Sequence, residues 1–384
     1  MQRSTDRILT THVGSLVRPP ELKRFIDAKQ GGESFEPSEY EAALKEAVRG
    51  IVRGQVEAGV DVVDDGEFGK SAWHTYIRDR VTGYEDREVG REQDFVVGKD
   101  LERFPDFYGQ YAASFGLNST RPVCVAPIGY KPEQIQRDIA NFKAALEGLQ
   151  PVEAFMPLVA PASALRDAVN EYYPSEEAYV YALADVMKQE YQAVVDAGFL
   201  LQVDDAVLAT MWLLLEDQGL EHYRKWAELR IEALNYALKG IAQDRVRYHL
   251  CWGSWNGPHT NDVPLANIVD LLLRVNAGAY SIEAANPRHH HEWRVWETVK
   301  LPEGKTLIPG VISHATNIVE HPREVADRIV KFAGLVGREN VIAGTDCGFA
   351  QIEGIQRVYP TIMWAKLRTL AEGARLASQE LFGR

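Results

Sequence analysis

Eight short β-branched runs alternate with longer helical patterns along the chain, and this alternation limits the folds open to it. The strand-like runs occupy residues 7–15, 60–68, 152–160, 199–207, 245–253, 279–286, 305–313 and 340–348. Helical periodicity is clearest at residues 39–59, 175–198, 264–278 and 322–337, and each of these stretches ends in glycine. Eight strands alternating with helices predict an α/β fold, the (β/α)8 TIM barrel. An open doubly wound sheet is the alternative, disfavoured because the chain has no GxGxxG after its first strand and no P-loop.

A long excursion, at about residues 71–130, separates the second and third strand runs and predicts an insertion that includes a hairpin. Residues 255–264 form a polar loop after the fifth run. The sequence shows no internal repeat and no low-complexity segment. We therefore expect residues 1–384 to form a single domain, since this length suits one barrel with insertions.

The composition argues against several classes of partner. A formal net charge of -13 without a basic patch argues against nucleic acid. No apolar run is long enough to span a membrane, and the N-terminus lacks the apolar core of a signal peptide. The three cysteines lie far apart and predict no disulfide framework. We expect a cytoplasmic protein with reduced thiols, and the sequence does not indicate its oligomeric state.

Polar or reactive side chains stand at or just after the ends of most of the predicted strands. They are Ser15, Glu67, Asp204, His249, Cys251, Glu283, His314 and Cys347. In a (β/α)8 barrel the carboxyl ends of all strands meet at one face, where active sites are built. We therefore expect these residues to line one pocket.

His249 and Cys251 are two residues apart on one predicted strand, so their side chains point the same way. Glu283 and Cys347 add a carboxylate and a second thiol, which completes a ligand set suited to tetrahedral Zn²⁺. Taken singly, each residue has an ordinary explanation, as a buried cysteine, a hydrogen-bonded core histidine or a rim carboxylate. The third cysteine, Cys124, lies in the excursion without a partner and is interpreted as a buried hydrophobic residue.

A zinc ion surrounded by two thiolates and a carboxylate is a weak electrophile for activating water. Such an ion is better suited to binding a substrate thiol and lowering its pKa, which keeps the sulfur nucleophilic. The ligand set therefore predicts alkyl transfer to a thiol.

Seven segments of the chain resemble motifs of the catalytic C-terminal barrel of cobalamin-independent methionine synthase, and they occur in the same order. They read TTHVGSLVRP, DVVDDGEF, LQVDDAV, YHLCWG, SIEAAN, GVISHATN and GTDCGFA. The resemblance spans nearly the whole chain, from Thr10 to about Ala350, and its strongest part is the ordered set HxC, Glu and DCG.

The resemblance implies a role for each residue at the strand ends. It assigns four zinc ligands: His249, Cys251, Glu283 and Cys347. It assigns three residues to the acceptor, homocysteine: Ser15, Glu67 and Asp204. It makes His314 a proton shuttle near the leaving group. The implied reaction is that of a 5-methyltetrahydropteroyltriglutamate–homocysteine methyltransferase in methionine biosynthesis, in which a zinc-bound thiolate attacks the donor.

The chain departs from this family in ways that leave the donor open. It lacks the additional N-terminal barrel of the long family members, so it resembles a stand-alone core barrel. The third-strand motif of the family carries a tryptophan that stacks on the folate pterin, whereas residues 158–161 here contain no aromatic. Candidate donors are therefore a methyl-folate, a corrinoid protein or a small methyl donor.

Other polar and aromatic residues near the expected mouth have two interpretations each. His12 replaces a threonine of the first motif and is either an extra ligand or a histidine bonded to its neighbours. The run His289–His291 binds an anion or lies in a solvated loop. Lys70, like nearby arginines, meets an anion or is a surface charge. Four aromatics could form the wall of a donor pocket: Trp73, Tyr76, Trp252 and Trp255.

Two alternative functions would use the same predicted zinc site. One resembles epoxyalkane–coenzyme M transferase, in which a thiolate opens an epoxide. Its acceptor carries a sulfonate and no amine, so the retained acids Glu67 and Asp204 favour an amino-thiol. The other is a non-catalytic zinc or corrinoid-binding barrel, because four protein ligands also describe a closed structural site.

Overall fold

The computed structural model describes residues 1–30, 32–73, 75–88, 98–113, 120–352 and 356–383. Its strands, in chain order, are β1 (Leu9–Thr10), β2 (Val62–Val63), β3 (Tyr84–Glu88), β4 (Thr120–Cys124), β5 (Glu153–Val159), β6 (Val169–Asn170), β7 (Leu200–Asp205), β8 (Val246–Leu250), β9 (Ala279–Ile282), β10 (Thr306–Ile312) and β11 (Ile342–Thr345). All except β3, β4 and β6 lie inside the eight predicted runs. Those eight strand predictions are confirmed.

The eight strands form one parallel sheet in the order β1-β11-β10-β9-β8-β7-β5-β2. A further parallel bridge joins Thr11, just after β1, to Val62 in β2, so the first and last strands of this order also meet. The sheet therefore closes on itself with helices between its strands. The prediction of a (β/α)8 TIM barrel is confirmed, and the open doubly wound alternative is wrong.

The helices begin at residues that favour helix starts and continue through stretches with helical periodicity. They are α1 (Pro20–Gln30), α2 (Pro37–Glu57), α3 (Asp100–Arg103), α4 (Pro105–Ala113), α5 (Glu133–Leu146), α6 (Glu176–Asp196), α7 (Val207–Thr210), α8 (Trp212–Leu215), α9 (Leu220–Ala237), α10 (Val269–Leu272), α11 (Pro322–Val336) and α12 (Pro360–Phe382). Pro37 begins α2, where its missing N–H has no cost. Helix α6 begins after Ser175, whose hydroxyl accepts from the Ala178 N–H at 3.1 Å. Across the described part of the chain, no helix is long and apolar enough to cross a membrane.

The helix predicted over residues 264–278 is mostly wrong. The structure has only a 3-10 turn at Leu265–Asn267 and the single turn α10, separated by Ile268 at φ −135°. The apolar residues of this stretch are buried although they do not lie on a continuous helix, so their spacing reports burial rather than helix formation. Tertiary packing therefore overrides the helical periodicity here.

The excursion between the second and third barrel strands contains the predicted hairpin. Strands β3 and β4 pair antiparallel, from Tyr84 opposite Cys124 to Glu88 opposite Thr120, and β6 adds to β4 in parallel. Cys124 is fully buried, which matches its interpretation as a hydrophobic residue. Helices α3 and α4, between β3 and β4, contact the loop after β8, where Asp100 accepts from the Thr260 N–H at 2.8 Å. The excursion therefore covers the carboxyl end of β8.

The barrel interior holds polar side chains beneath the strand ends. Arg247 on β8 is fully buried, donates to the Thr11 hydroxyl and the His12 carbonyl at 2.8 Å each, and stacks over Phe155 at 3.9 Å. Because side chains alternate along a strand, Arg247 shares its inward face with His249 and Cys251. The interior thus ties β8 to the first motif across the barrel, directly below the candidate site.

Candidate metal centre and active site

Three of the predicted zinc ligands form a compact buried group at the carboxyl ends of β8 and β11. The side-chain ligand atoms of His249, Cys251 and Cys347 all lie within 4.8 Å of one another. The two sulfur atoms are 3.7 Å apart. A tetrahedral zinc with Zn–S bonds of about 2.3 Å would separate two sulfur ligands by about 3.8 Å. The spacing therefore fits a metal of this type.

The hydrogen bonding of His249 also fits a metal ligand. Its Nδ1 lies 3.3 Å from the Ser281 hydroxyl, which leaves Nε2 as the outward nitrogen. That Nε2 is buried and makes no well-formed hydrogen bond among the described residues, although the imidazole lies close enough to the Cys347 sulfur to favour its ionisation. Because an unpaired polar atom is costly to bury, such a nitrogen indicates a missing partner, and imidazole with two thiolates is a donor set that zinc prefers.

The two cysteines differ in how readily their thiols ionise. The hydrogen bond from Cys251 holds the pKa of Cys347 well below its usual range, and the nearby imidazoles of His249 and His314 act in the same direction against burial. The same hydrogen bond, with burial, raises the pKa of Cys251 well above its usual range. The two shifts are opposite, so Cys347 is the more easily ionised sulfur of the pair and the one better suited to meet a cation.

Glu283 lies beside this group rather than inside it. Its Oε1 accepts from the Trp252 backbone N–H at 2.9 Å, and its Oε2 accepts from the Asn286 side-chain amide at 2.7 Å. Burial, together with the negative charge of Asp346 and Cys347, raises the pKa of Glu283 to about 8. Its role as fourth zinc ligand stays a prediction.

Asp346 has a structural role that the sequence analysis missed. Its Oδ1 accepts from the backbone N–H groups of Ala284 and Ala285, at 2.8 Å each. These residues follow Glu283, so the aspartate next to Cys347 fixes the segment that carries the carboxylate. Its position next to Cys347 in the DCG motif is the sequence feature that could have predicted this role.

Ser15 and Glu67 approach the metal group from the first two barrel strands. Ser15 accepts from the Phe349 N–H at 2.7 Å through its carbonyl, and its hydroxyl lies against Gly348, where no side chain would fit. Glu67 has a left-handed backbone, with φ of 60°. A Cβ on Gly14 would lie 2.6 Å from Glu67 Oε1, so the first-motif glycine is required for this close approach.

Asp204, at the end of β7, lies close enough to Glu67 and to the metal group for their charges to affect its pKa. Gln202 donates to its Oδ1 at 2.7 Å. Burial raises the pKa of Asp204 to about 8, and the charge of Glu67 acts in the same direction, while His249 and Lys70 oppose it. The structure therefore brings Asp204 close to Glu67 and to the metal group, as the convergence of strand ends predicts.

Lys70 lies in the acidic part of the site, which favours the first of its two interpretations, that it meets an anion. Its ammonium is 3.3 Å from Glu67 Oε2, also donates to the Pro157 carbonyl, and lies 4.8 Å from the centre of the Tyr76 ring. The residue is 5% exposed, so it is not a surface charge. The sequence feature that favours this position is the placement of a lysine shortly after a group of three acids, all of which are buried in the structure: Asp64, Asp65 and Glu67. Buried acids of this kind need a nearby positive charge.

His314, after β10, is buried at the same face. Neither ring nitrogen has a hydrogen-bond partner within the described ranges. Burial lowers the pKa of His314 to about 4, although the charge of Cys347 opposes this effect. The ring is therefore neutral near pH 7, with one nitrogen able to donate and the other able to accept. Its role as proton shuttle stays a prediction.

His12 is engaged by its neighbours. The Gly14 N–H donates to Nδ1 at 3.2 Å, so the proton of the neutral ring lies on Nε2 and is donated to Gln55 Oε1 at 2.8 Å. Both nitrogens are thus used, which favours the hydrogen-bonded interpretation over an extra ligand. The Gly14 N–H is also unavailable to a substrate carboxylate.

Of the four aromatics considered for a donor pocket, two are fully buried. Tyr76 and Trp252 are 2% and 1% exposed. Trp255 is stacked on His259 with ring centres 3.7 Å apart. Trp73 is half-buried and packs against the hydrophobic cluster that contains Cys251 and Cys347. Trp73 is therefore the one of these four that is only half-buried beside the metal group, with the Arg166 guanidinium 5.5 Å from the centre of its ring.

A comparison with a solved structure supports the fold. The B12-independent methionine synthase of Shewanella sp. W3-18-1, solved in complex with selenomethionine, superposes with a TM-score of 0.72 at 20% identity. This match covers 98% of this chain and 100% of that one.

Two curated relatives extend over nearly the whole chain, and both are methionine synthases. The protein of Pyrococcus furiosus is 22% identical over 372 residues, which cover 97% of this chain and 93% of the relative. The protein of Saccharolobus solfataricus is 24% identical over 376 residues, which cover 97% and 95%.

A family model decides the assignment. The model described as the catalytic domain of the cobalamin-independent synthase matches residues 158–365, more than half of the chain. The match includes β8 to β11 and all of the predicted metal ligands. The chain therefore belongs to the family of cobalamin-independent methionine synthases, as the order of its motifs predicts.

Proposed function

We propose that this protein is a zinc-dependent methyltransferase that methylates the thiol of homocysteine to form methionine in the cytoplasm. The observation that carries the proposal is the buried group of His249, Cys251 and Cys347, with an unpaired imidazole nitrogen, at the face where Glu67 and Asp204 also converge. The names of the relatives described above agree with this activity.

The metal is the first part of the proposal. His249, Cys251 and Cys347 would hold Zn²⁺, with Glu283 as the fourth ligand. When bound, the ion supplies a Lewis acid that lowers the pKa of the acceptor thiol and keeps its sulfur nucleophilic near neutral pH. The chain's own contribution is a buried, water-poor setting in which the pKa of the Cys347 thiol is held below its usual range.

The acceptor is assigned from the charges beside the metal group. Glu67 and Asp204 would bind the ammonium of the amino-thiol, and the hydroxyl of Ser15 would bind its carboxylate. Lys70 contacts only the Oε2 atom of Glu67, and the Oε1 atom lies beside Gly14. One carboxylate oxygen thus stays available to the acceptor while Lys70 holds the side chain in place.

The donor side is assigned to the surface beside Trp73. This ring packs against the cluster of Cys251 and Cys347, and a flat methyl donor such as a methyl-folate would stack there in place of the missing third-strand aromatic. His314 would pass a proton from one ring nitrogen to the leaving atom of the donor as the sulfur–carbon bond forms, while its other nitrogen takes up a proton from water, so that the ring stays neutral.

A direct assay tests this function. Zinc-loaded protein is incubated with homocysteine and a methyl-folate, and methionine is measured by mass spectrometry. We expect methionine from the wild type and at least a hundredfold less from Cys347→Ser. Coenzyme M serves as the control acceptor, because it lacks the ammonium. The proposal fails if zinc-loaded protein methylates no amino-thiol, or if Cys347→Ser retains full metal content and activity.

A further inference from the structure

A second cluster of ionisable residues, two of them buried and two partly buried, lies beside the metal group, and the proposed function uses none of it. We call it the histidine clamp, and its members are His259, Asp262, His289 and Glu292. Asp262 Oδ2 lies 2.9 Å from His259 Nδ1 and 3.1 Å from His289 Nε2. Glu292 Oε2 lies 2.9 Å from His289 Nδ1. One carboxylate thus joins the loop after β8 to the loop after β9.

Every ring nitrogen in the clamp faces an acceptor. His259 Nε2 lies 3.0 Å from the Trp255 carbonyl, and the other three nitrogens face carboxylates. Both imidazoles therefore donate twice and carry a positive charge, balanced by the two carboxylates. Buried, mutually paired charges of this kind hold a fixed geometry, because removing one partner leaves the other uncompensated.

The clamp holds the side chain of Trp252. The rings of His289 and Trp252 lie 4.5 Å apart, and Trp252 Nε1 donates to the Val263 carbonyl at 2.7 Å. Val263 directly follows Asp262, and Glu292 accepts from the Leu265 N–H at 2.6 Å. The indole is therefore fixed on its face by His289 and at its edge by the segment that Asp262 anchors.

Trp252 connects the clamp to two predicted ligands. It follows Cys251 in the chain, and its backbone N–H donates to Glu283 Oε1 at 2.9 Å. A displacement of Trp252 would therefore move the thiol of Cys251 and the carboxylate of Glu283 together. Groups that orient metal ligands in this way commonly change metal affinity by 10- to 100-fold when they are replaced.

The backbone of the clamp supports the same conclusion. His259 has φ of 53°, a left-handed conformation that is uncommon for a residue with a side chain. Such strain persists only where surrounding contacts enforce it. Here the contacts are the hydrogen bonds to Asp262 and Trp255 and the stacking on the Trp255 ring.

We propose that His289 is a positioning residue of the metal centre, which sets through Trp252 where Cys251 and Glu283 lie relative to each other. The inference rests on the proposed zinc site, but it concerns a residue to which that proposal gives no role. It also separates His289 from His290 and His291, which are exposed. The run of three histidines is thus one buried positioning residue followed by two solvated ones, not an anion site.

The test measures zinc affinity rather than methyl transfer. Zinc dissociation constants of the purified full chain are determined by competition with a chelator at neutral pH. Absorption spectra of the Co²⁺-substituted protein report the ligand geometry. We expect His289→Asn to weaken zinc binding by 10- to 100-fold and to alter the Co²⁺ spectrum. His290→Asn and His291→Asn are the matched controls, and we expect both to match the wild type.

A second variant covers the case in which His289→Asn fails to fold. Trp252→Phe keeps an aromatic ring for His289 but removes the Nε1 donor to Val263, so we expect weaker zinc binding in the same direction. In the double variant the total loss of zinc-binding free energy should be smaller than the sum of the two single losses, because both substitutions act through Trp252. A general loss of stability would not produce this coupling.

The outcomes separate this inference from the proposed function. A folded His289→Asn with the zinc affinity and Co²⁺ spectrum of the wild type overturns the positioning role and leaves the zinc site standing. Unchanged zinc affinity in Trp252→Phe does the same if the histidine variant cannot be purified. A wild-type protein that binds no zinc overturns the proposed function itself.

Discussion

At the scale of single residues, the site is built from charged side chains that are buried and must be compensated locally. Glu67 and Asp204 lie close enough to act on each other, and Lys70 supplies the opposing charge. The acids at the strand ends could be predicted from the sequence, because their positions follow from strand spacing. The inward position of the lysine could not, because the two residues between Glu67 and Lys70 do not show whether its side chain turns inward or toward solvent.

We predict that Lys70→Met removes the counter-charge of a buried carboxylate. It should destabilise the protein by about 3 kcal/mol in urea unfolding and raise KM for homocysteine more than it lowers kcat. Lys70→Arg should recover part of both losses. Lys143→Met, on the exposed surface of α5, is the control. If Lys70→Met behaved like that control, the Glu67–Lys70 pair would have no role.

His12 gives a prediction for pH dependence. Burial lowers the pKa of His12 to about 4, so the unfolded chain takes up this proton near pH 6.5 while the folded protein resists it. Stability contributed at neutral pH is therefore lost as the pH falls from about 6.5 toward 4. At ~1.4 kcal/mol per pH unit, His12 should contribute about 2 kcal/mol of the loss between pH 6.5 and 5.

Urea unfolding of His12→Gln and of the wild type at both pH values measures this contribution. The variant should show a smaller difference in unfolding free energy between the two values. Equal differences would mean that His12 is not held neutral by burial.

At the scale of elements, the strands were predictable and the loops that follow them were not. In a barrel, a β-branched run between two helices can form little other than a strand. All eight strands therefore lie within the runs predicted from the sequence. The left-handed residues Glu67, Leu165 and His259 each lie in a loop that follows a barrel strand. Strain of this kind arises from contacts between distant segments, which a single sequence does not reveal. The failed helix at residues 264–278 has the same cause.

The contact between the ends of β1 and β11 gives a prediction at this scale. A methyl group on Gly348 would overlap the side chain of Ser15. Gly348→Ala should therefore displace the serine and raise KM for homocysteine about tenfold, with a smaller effect on zinc content. Gly50→Ala on α2, where a Cβ meets nothing within 4 Å, is the control. An unchanged KM in Gly348→Ala would remove Ser15 from the acceptor site.

At the scale of the whole molecule, barrel closure brings together residues from both ends of the chain. Cys347 comes within 3.7 Å of Cys251 only because β11 returns beside β1 and faces β8 across the mouth. Three of the four predicted zinc ligands could be assembled from motif order plus topology. The placement of Glu283 beside the others, held by Trp252 and Asn286, depends on side-chain contacts that topology does not determine.

A single domain over residues 1–384 predicts cooperative unfolding. Calorimetry should show one transition for the metal-free protein, and zinc should move that whole transition to higher temperature, since the ion binds only the folded barrel. Two transitions, of which zinc shifted only one, would show that the excursion is an independent unit.

The central claim is that the buried histidine and two cysteines hold a zinc ion that receives the acceptor thiol. X-ray absorption at the zinc edge of the loaded protein, with and without homocysteine, tests it most directly. We expect two sulfur ligands at about 2.3 Å with the remainder nitrogen or oxygen, and a third sulfur when homocysteine is added. A zinc environment with fewer than two sulfurs, or one that homocysteine leaves unchanged, would contradict it.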